Sequence, residues 1–228
     1  LLPEAAPAAM DQVPATAAQM QSITSDERTF ATVDPTFVPW GSFKDVTKTA
    51  RALNEYSKLA ERFFLVSEHE TPQIDSSKVF LEKKIEGCQM VLEHLDDVEI
   101  SENIVPLTEA YLDEIYELIW MVMPGYYQKK SFYMGSFFGI FKDQKLVSIC
   151  GQRMQTDDFI EVSAVVTHPN YTRRGLAKQL VWYTTKEILK QQKLPVLHTD
   201  KGNTAIPLYK KLGYKITRDM NWWLYGRK

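Results

Sequence analysis

The 228 residues carry a formal net charge of −2 and are 44% hydrophobic, 12% aromatic and 25% charged, which excludes a disordered or low-complexity chain and leaves room for one large domain or two small ones. A balance this close to neutral offers no global attraction to nucleic acid or to an anionic membrane, so any basic function must be local. Cys88 and Cys150 are the only cysteines, too few for a disulfide framework or a zinc knuckle, and they predict a reducing compartment.

The longest apolar run in the middle of the chain, residues 118–123, is far short of the roughly 18 residues that cross a bilayer. The Ala- and Pro-rich start, with Glu4 and no basic leader, does not read as a secretory signal. A cytoplasmic protein without nucleic-acid or membrane partners, monomeric or homodimeric, is expected. In chain order, residues 1–22 contain Pro3, Pro7 and Pro14 and predict a short helix or an extended arm. Residues 23–96 then predict a smaller α/β half. Its pieces are strands over 29–33 and 37–40 about the turn Asp34-Pro35, a helix capped by Asp45 and running to Leu59, a buried strand over 63–66, and a loop over 71–77. The stretch 79–92 mixes alternation with helix formers, and only 89–92 reads as strand.

The acidic connector Leu95-Asp96-Asp97-Val98 marks the boundary with a second half, residues 97–228. There the pattern predicts a strand over 98–107 and a helix capped by Thr108, with Tyr111, Leu112, Ile115, Ile119 and Met123 on its apolar face and Pro124-Gly125 as its stop. A hairpin over 137–141 and 146–154 leads into a β-branched strand over 160–167. A helix over about 174–192, a strand over 195–199, a helix over 203–212 ended by Gly213, and strands over 214–217 and 221–225 complete the chain.

Between the strand ending at Thr167 and the helix that follows lies a short basic corner, His168 to Lys178. The first N–H groups of a helix lack intrahelical partners and carry the positive end of its dipole, so such a terminus suits an anion. Gly175 and Ala177 leave the backbone approachable, while Arg173, Arg174 and Lys178 add positive charge. A solvated strand-to-helix turn is the plainer alternative.

A second element narrows the choice. Thr172-Arg173-Arg174-Gly175-Leu176-Ala177, followed by Asn203, Leu208-Tyr209 and Leu212-Gly213-Tyr214, resembles the paired motifs of the GNAT superfamily of acyl-CoA-dependent N-acyltransferases. The resemblance spans residue 98 to the C-terminus. Gly151-Gln152-Arg153-Met154, residues 161–169 and Met220-Asn221-Trp222-Trp223 look like a branch carrying an extra N-terminal half, related to glycine N-acyltransferases. The resemblance implies a GNAT fold, a mixed and mostly antiparallel sheet flanked by helices, preceded by a smaller degenerate α/β half. It departs at Thr172, which cannot supply the long polar arm usual there, although its hydroxyl can cap the helix.

The implied activity is transfer of the acetyl group of acetyl-CoA to a primary amine by direct attack in a ternary complex. A longer-chain acyl-CoA:amino acid transferase and a non-catalytic acyl-CoA-binding module are the alternatives. The matching positions imply Val165, Val166, Thr167, Arg173, Arg174, Gly175, Leu176, Ala177, Lys178 and Asn203 as cofactor-binding, Tyr209 as the proton donor to the leaving thiolate, and Glu161 as general base. Apolar neighbours Phe159, Ile160 and Val162 predict a raised pKa for Glu161, against the alternative of a surface glutamate paired with Arg153. Asn203 can also serve as an ordinary helix cap. His168 and His198 flank the expected site without a catalytic spacing, no metal-ligand pattern is present, and one of Trp222 and Trp223 must face away from the other and can wall an acceptor pocket.

Overall fold

The computed structural model describes residues 20–21, 30–43, 45–68, 71–125 and 127–228; most of the arm expected over 1–22 lies outside them. The described residues build one eleven-stranded sheet between helices. The strands are β1 (Met20–Gln21), β2 (Phe30–Val33), β3 (Trp40–Phe43), β4 (Arg62–Ser67), β5 (Val79–Leu92), β6 (Ile104–Leu107), β7 (Phe137–Lys142), β8 (Lys145–Gln155), β9 (Phe159–Thr167), β10 (Leu194–Asp200) and β11 (Tyr214–Arg227). Among the described residues, four α-helices, α1 (Thr49–Tyr56), α2 (Leu112–Val122), α3 (Leu176–Lys190) and α4 (Ile206–Lys211), and several 3₁₀ turns complete the fold.

Across the sheet the order is β1-β2-β3-β4-β11-β5-β10-β9-β8-β7-β6. Pairing is antiparallel except for β3 with β4 and β9 with β10. The long strand β5 therefore lies between β10 and β11, and residues on both sides of the connector at 95–98 share one sheet.

Alternation along these strands sorts the side chains onto two faces. Cys88, Met90, Ile160, Val162 and Leu197 pack beneath α3 and α4 with Leu176, Leu180, Ile188 and Tyr209. Trp223 and Tyr225 face the same way, beneath Leu53 and Tyr56 of α1. The opposite face holds α2 over Phe137, Leu146, Ile149 and Val166, and beside it Trp222, Met220, Phe64 and Val66 under Val38 and Trp40.

Several local expectations change for physical reasons. Residues 98–103 are not a strand, because the N–H groups of Ser101 and Glu102 donate to Gln179 Oε1 on α3 (2.9 and 3.0 Å) instead of to a neighbouring ladder. Thr108 makes no side-chain cap. Asp45 does cap, accepting from Thr47 N–H at 3.0 Å, but above a single 3₁₀ turn that precedes α1. The two pieces expected over 214–225 are one strand, kinked where the ladder slips between Ile216 and Arg218. The hairpin of β7 and β8 closes through Asp143 and Gln144, both left-handed (φ 50° and 62°), as a two-residue primed turn requires.

Candidate active site

Strands β9 and β10 pair only where Leu194, Pro195 and Val196 meet Phe159, Ile160 and Glu161. Beyond that point they part, and the sheet opens into a cleft. Residues 162–165 of β9 form one wall and residues 197–200 of β10 the other, around a cavity of about 200 Å³. On the β9 wall the ladder to β8 jumps from Ser163–Gly151 to Val166–Ile149, leaving Ala164 and Val165 outside it, and Ala164 adopts φ 50°. A left-handed alanine inside a strand is strained, and bulges of this kind re-aim backbone groups.

The corner at the start of α3 is built in two steps. His168 Nδ1 accepts the Asn170 N–H (3.2 Å), closing a 3₁₀ turn over Pro169–Tyr171. The Thr172 hydroxyl donates to Pro169 O (3.1 Å), so it fastens the turn behind it and does not cap the helix. Arg173 (φ 61°) and Gly175 (φ 75°) are both left-handed and bracket Arg174, an alternation that gathers N–H groups into a concave nest for anions.

The first helical hydrogen bond, Gln179 N–H to Gly175 O at 3.2 Å, leaves the amides of Leu176, Ala177 and Lys178 ahead of it. Nothing lies within 4 Å of a Cβ added at Gly175, so the backbone faces open space. Buried Leu176 anchors the corner beneath. Arg174 is spent partly on the loop itself, donating to Asn170 O (3.0 Å) and lying over the Tyr171 ring (4.8 Å). Val166 is buried under α2 and the Thr167 hydroxyl bonds Ser148 Oγ (2.7 Å); of the three β9 residues expected along the cofactor, Val165 lines the cavity.

On the α4 side Asn203 accepts the Ala205 N–H (2.8 Å) and donates to Thr199 Oγ1 (2.6 Å), so it caps the turn into α4 while bordering the cavity. Tyr209 reaches the same cavity from α4, is 6% exposed, and burial pushes its phenol above its ordinary pKa. It stays protonated at any physiological pH.

Glu161 differs from the expectation. It is 1% exposed and bound on both oxygens, by Arg153 Nε (2.9 Å) and Nη2 (2.9 Å) and by His198 Nδ1 (2.8 Å). Burial alone would raise its pKa, but the Arg153 charge and the His198 hydrogen bond outweigh it and hold the carboxyl at about 2. The raised pKa predicted from its apolar neighbours is thus reversed, and a carboxylate so stabilised and so fully bonded is a poor general base. The alternative pairing with Arg153 is present, although deep inside the protein.

Behind it, Arg218 Nε donates to Gln89 Oε1 (3.0 Å), which turns the amide NH₂ toward His198 Nε2 (3.1 Å). That nitrogen must accept, so Nδ1 carries the proton given to Glu161. Arg153 in turn lies 4.3 Å from the centroid of the Trp40 ring. Gln89, Arg218 and Trp40 carry no motif, and only alternation placing them on one face could have signalled them.

Val38, Trp40, Phe64, Ile85 and Trp222 complete the cavity from the other face, so Trp222 is the wall residue and Trp223 the core residue. Among the described residues no group of three His, Cys, Asp or Glu side chains is placed to hold a metal, and no helix is long and apolar enough to cross a membrane.

The family profile described as FR47-like protein matches residues 137–224, under half of the chain. None of the curated proteins matches in sequence. Among solved structures, one assigned to the GNAT acetyltransferases from Novosphingobium aromaticivorans is similar at 24% identity and a TM-score of 0.77, over 90% of this chain and 91% of its own. A GCN5-related N-acetyltransferase-like protein from Streptococcus suis aligns at 15% identity and TM-score 0.62, covering 92% and 88%. A tandem GNAT protein from the clavulanic acid biosynthesis pathway aligns at 13% and 0.55, covering 86% and 77%. The chain has the GNAT fold.

Proposed function

We propose that the protein is an N-acyltransferase that moves the acetyl group of acetyl-CoA to a primary amine by direct attack in a ternary complex. The observation that carries this reading is that the strands β9 and β10 part around a cavity that Tyr209 reaches, while the loop directly after β9 forms an amide nest at the N-terminus of α3. The nest and Arg173 and Lys178 suit a pyrophosphate, and the parted edge of β9 suits a pantetheine arm added like a strand.

The amine nitrogen attacks the thioester carbonyl, whose oxygen gains charge and is stabilised by backbone N–H groups at the Ala164 bulge. The C–S bond breaks, Tyr209 gives its proton to the departing sulfur, and solvent restores it. Glu161 positions Arg153 and His198. With no general base assigned, the acceptor sheds one proton to solvent before it attacks as the neutral amine, and its nitrogen sheds a second to solvent once the N–C bond has formed, leaving the amide and CoA thiol.

The same reading takes the first half, residues 23–96 with β2–β5 and α1, as an incomplete GNAT-like unit akin to that of the glycine N-acyltransferases, and on the cysteine usage it expects a cytoplasmic protein. Calorimetric titration with acetyl-CoA tests the site: a Kd of about 1 μM–1 mM, the range in which substrates ordinarily bind, is expected, and no measurable heat of binding would remove the basis of the proposal.

A further inference from the structure

The two sides of the cavity differ in chemistry. The α4 side is polar, with Asn203, Thr199 and the Tyr209 hydroxyl. The far side is apolar, and its key piece is Trp222. A Cβ built on Gly87 would fall 1.4 Å from a ring carbon of Trp222. The benzo edge of the indole therefore fills the space a side chain at Gly87 would need, and the neighbour of Gly87 across the ladder is Asp200 at the end of β10.

Trp40 and Phe64 pack against the same cluster, and their rings meet edge to face with centroids 6.2 Å apart. Arg153 holds Glu161 by a two-point contact, so that the two charges offset each other. Of the carboxylates among the described residues, Asp200 alone lines the cavity, at its exposed end.

A polycationic acceptor would have to shed its hydration against aromatic rings where, among the described residues, Asp200 alone offers a carboxylate, which is costly. An uncharged apolar body gains from the same surface. The nucleophile reaches the parted strands from this side, because α3 and α4 cover the other.

We propose that the acceptor is an amine carried on an uncharged, apolar body about the size of one aromatic ring, and that Trp222 seated on Gly87 is the residue that limits that size. The identification of the occupant as the acceptor rests on the acyl-transfer reading above.

The test is calorimetry on the full chain with CoA present, comparing N-acetylphenethylamine with N-acetylspermidine. Binding about tenfold tighter for the aromatic amide is expected, the scale on which apolar pockets discriminate; equal or tighter binding of N-acetylspermidine overturns the proposal. In Trp222→Ala the larger N-acetyltryptamine should gain about tenfold over N-acetylphenethylamine, and in Gly87→Ala, where the ring is pushed off its seat, N-acetylphenethylamine should weaken about tenfold. Trp222→Phe gives the same readout with less packing lost should Trp222→Ala fail to fold. Unchanged ratios across these variants would contradict the assignment, as would octanoyl-CoA outcompeting acetyl-CoA with phenethylamine as acceptor, which would put the acyl chain in the chamber. Tight binding of the aromatic amide without amine-dependent release of CoA would sink the acyl-transfer reading and leave the size-limiting role of Trp222 in place.

Discussion

At the scale of single residues, Glu161 and Tyr209 have opposite electrostatic fates in neighbouring places. Glu161 is the buried partner of a buried cation, and removing one member of such a pair leaves the other uncompensated. Glu161→Gln should therefore cost about 3 kcal/mol, read as a lowered thermal midpoint. Its folded pKa is depressed, so the stability it contributes is complete above the unfolded carboxyl value of about 4.3 and is lost as pH falls through the folded value of about 2. Wild type should lose stability across that window more steeply than Glu161→Gln; identical acid profiles would contradict the ion pair.

The same locked carboxylate predicts that kcat/KM for a primary amine climbs with pH toward the amine's own pKa, about 10. An inflection near pH 6–7 that Glu161→Gln abolishes would restore Glu161 as the base. Tyr209→Phe should lower kcat about 100-fold with acetyl-CoA affinity held within about twofold, and an unchanged kcat would strip Tyr209 of its role. Tyr209 was legible because a tyrosine after Asn203 at motif distance is visible in one dimension. The state of Glu161 was not, because Arg153 and His198 approach it from two other strands.

At the scale of elements, the corner between β9 and α3 works through backbone shape more than through side-chain charge. Arg174 is tied to Asn170 O and Tyr171, and Thr172 to Pro169 O, which leaves the nest and the first amides of α3 to face an anion. Gly175→Asp places a β-carbon where φ is 75°, costing about 1–2 kcal/mol in backbone strain, and adds a negative charge beside those amides. Acetyl-CoA affinity should fall by at least about tenfold; unchanged binding would move the pyrophosphate elsewhere. Most elements of the second half were readable from periodicity. Strand β5 was not, because Glu82, Lys83, Lys84 and Glu86 are helix formers and residues 80–86 are largely exposed, so neither apolar alternation nor propensity marks them; pairing with β11 along the full strand decides their conformation.

At the scale of the whole molecule, the first half supplies both a strand and a wall. β5 holds β10 to β11, and Trp40, Phe64 and Ile85 close the cavity against Trp222. A fragment of residues 97–228 would expose the edges of β10 and β11 that β5 covers, a recipe for edge-to-edge association. It should be insoluble or lack a cooperative melt, whereas a soluble fragment with a sharp transition would make the second half independent. The central claim, that the parted strands, the amide nest and Tyr209 form one acyl-transfer site, is tested most directly by thiol release from acetyl-CoA with and without phenethylamine. The account predicts amine-dependent release of one CoA for each amide formed; binding of acetyl-CoA with no amine-dependent release, for this amine and across polyamines, amino acids, aminoglycosides and peptide N-termini, would contradict it.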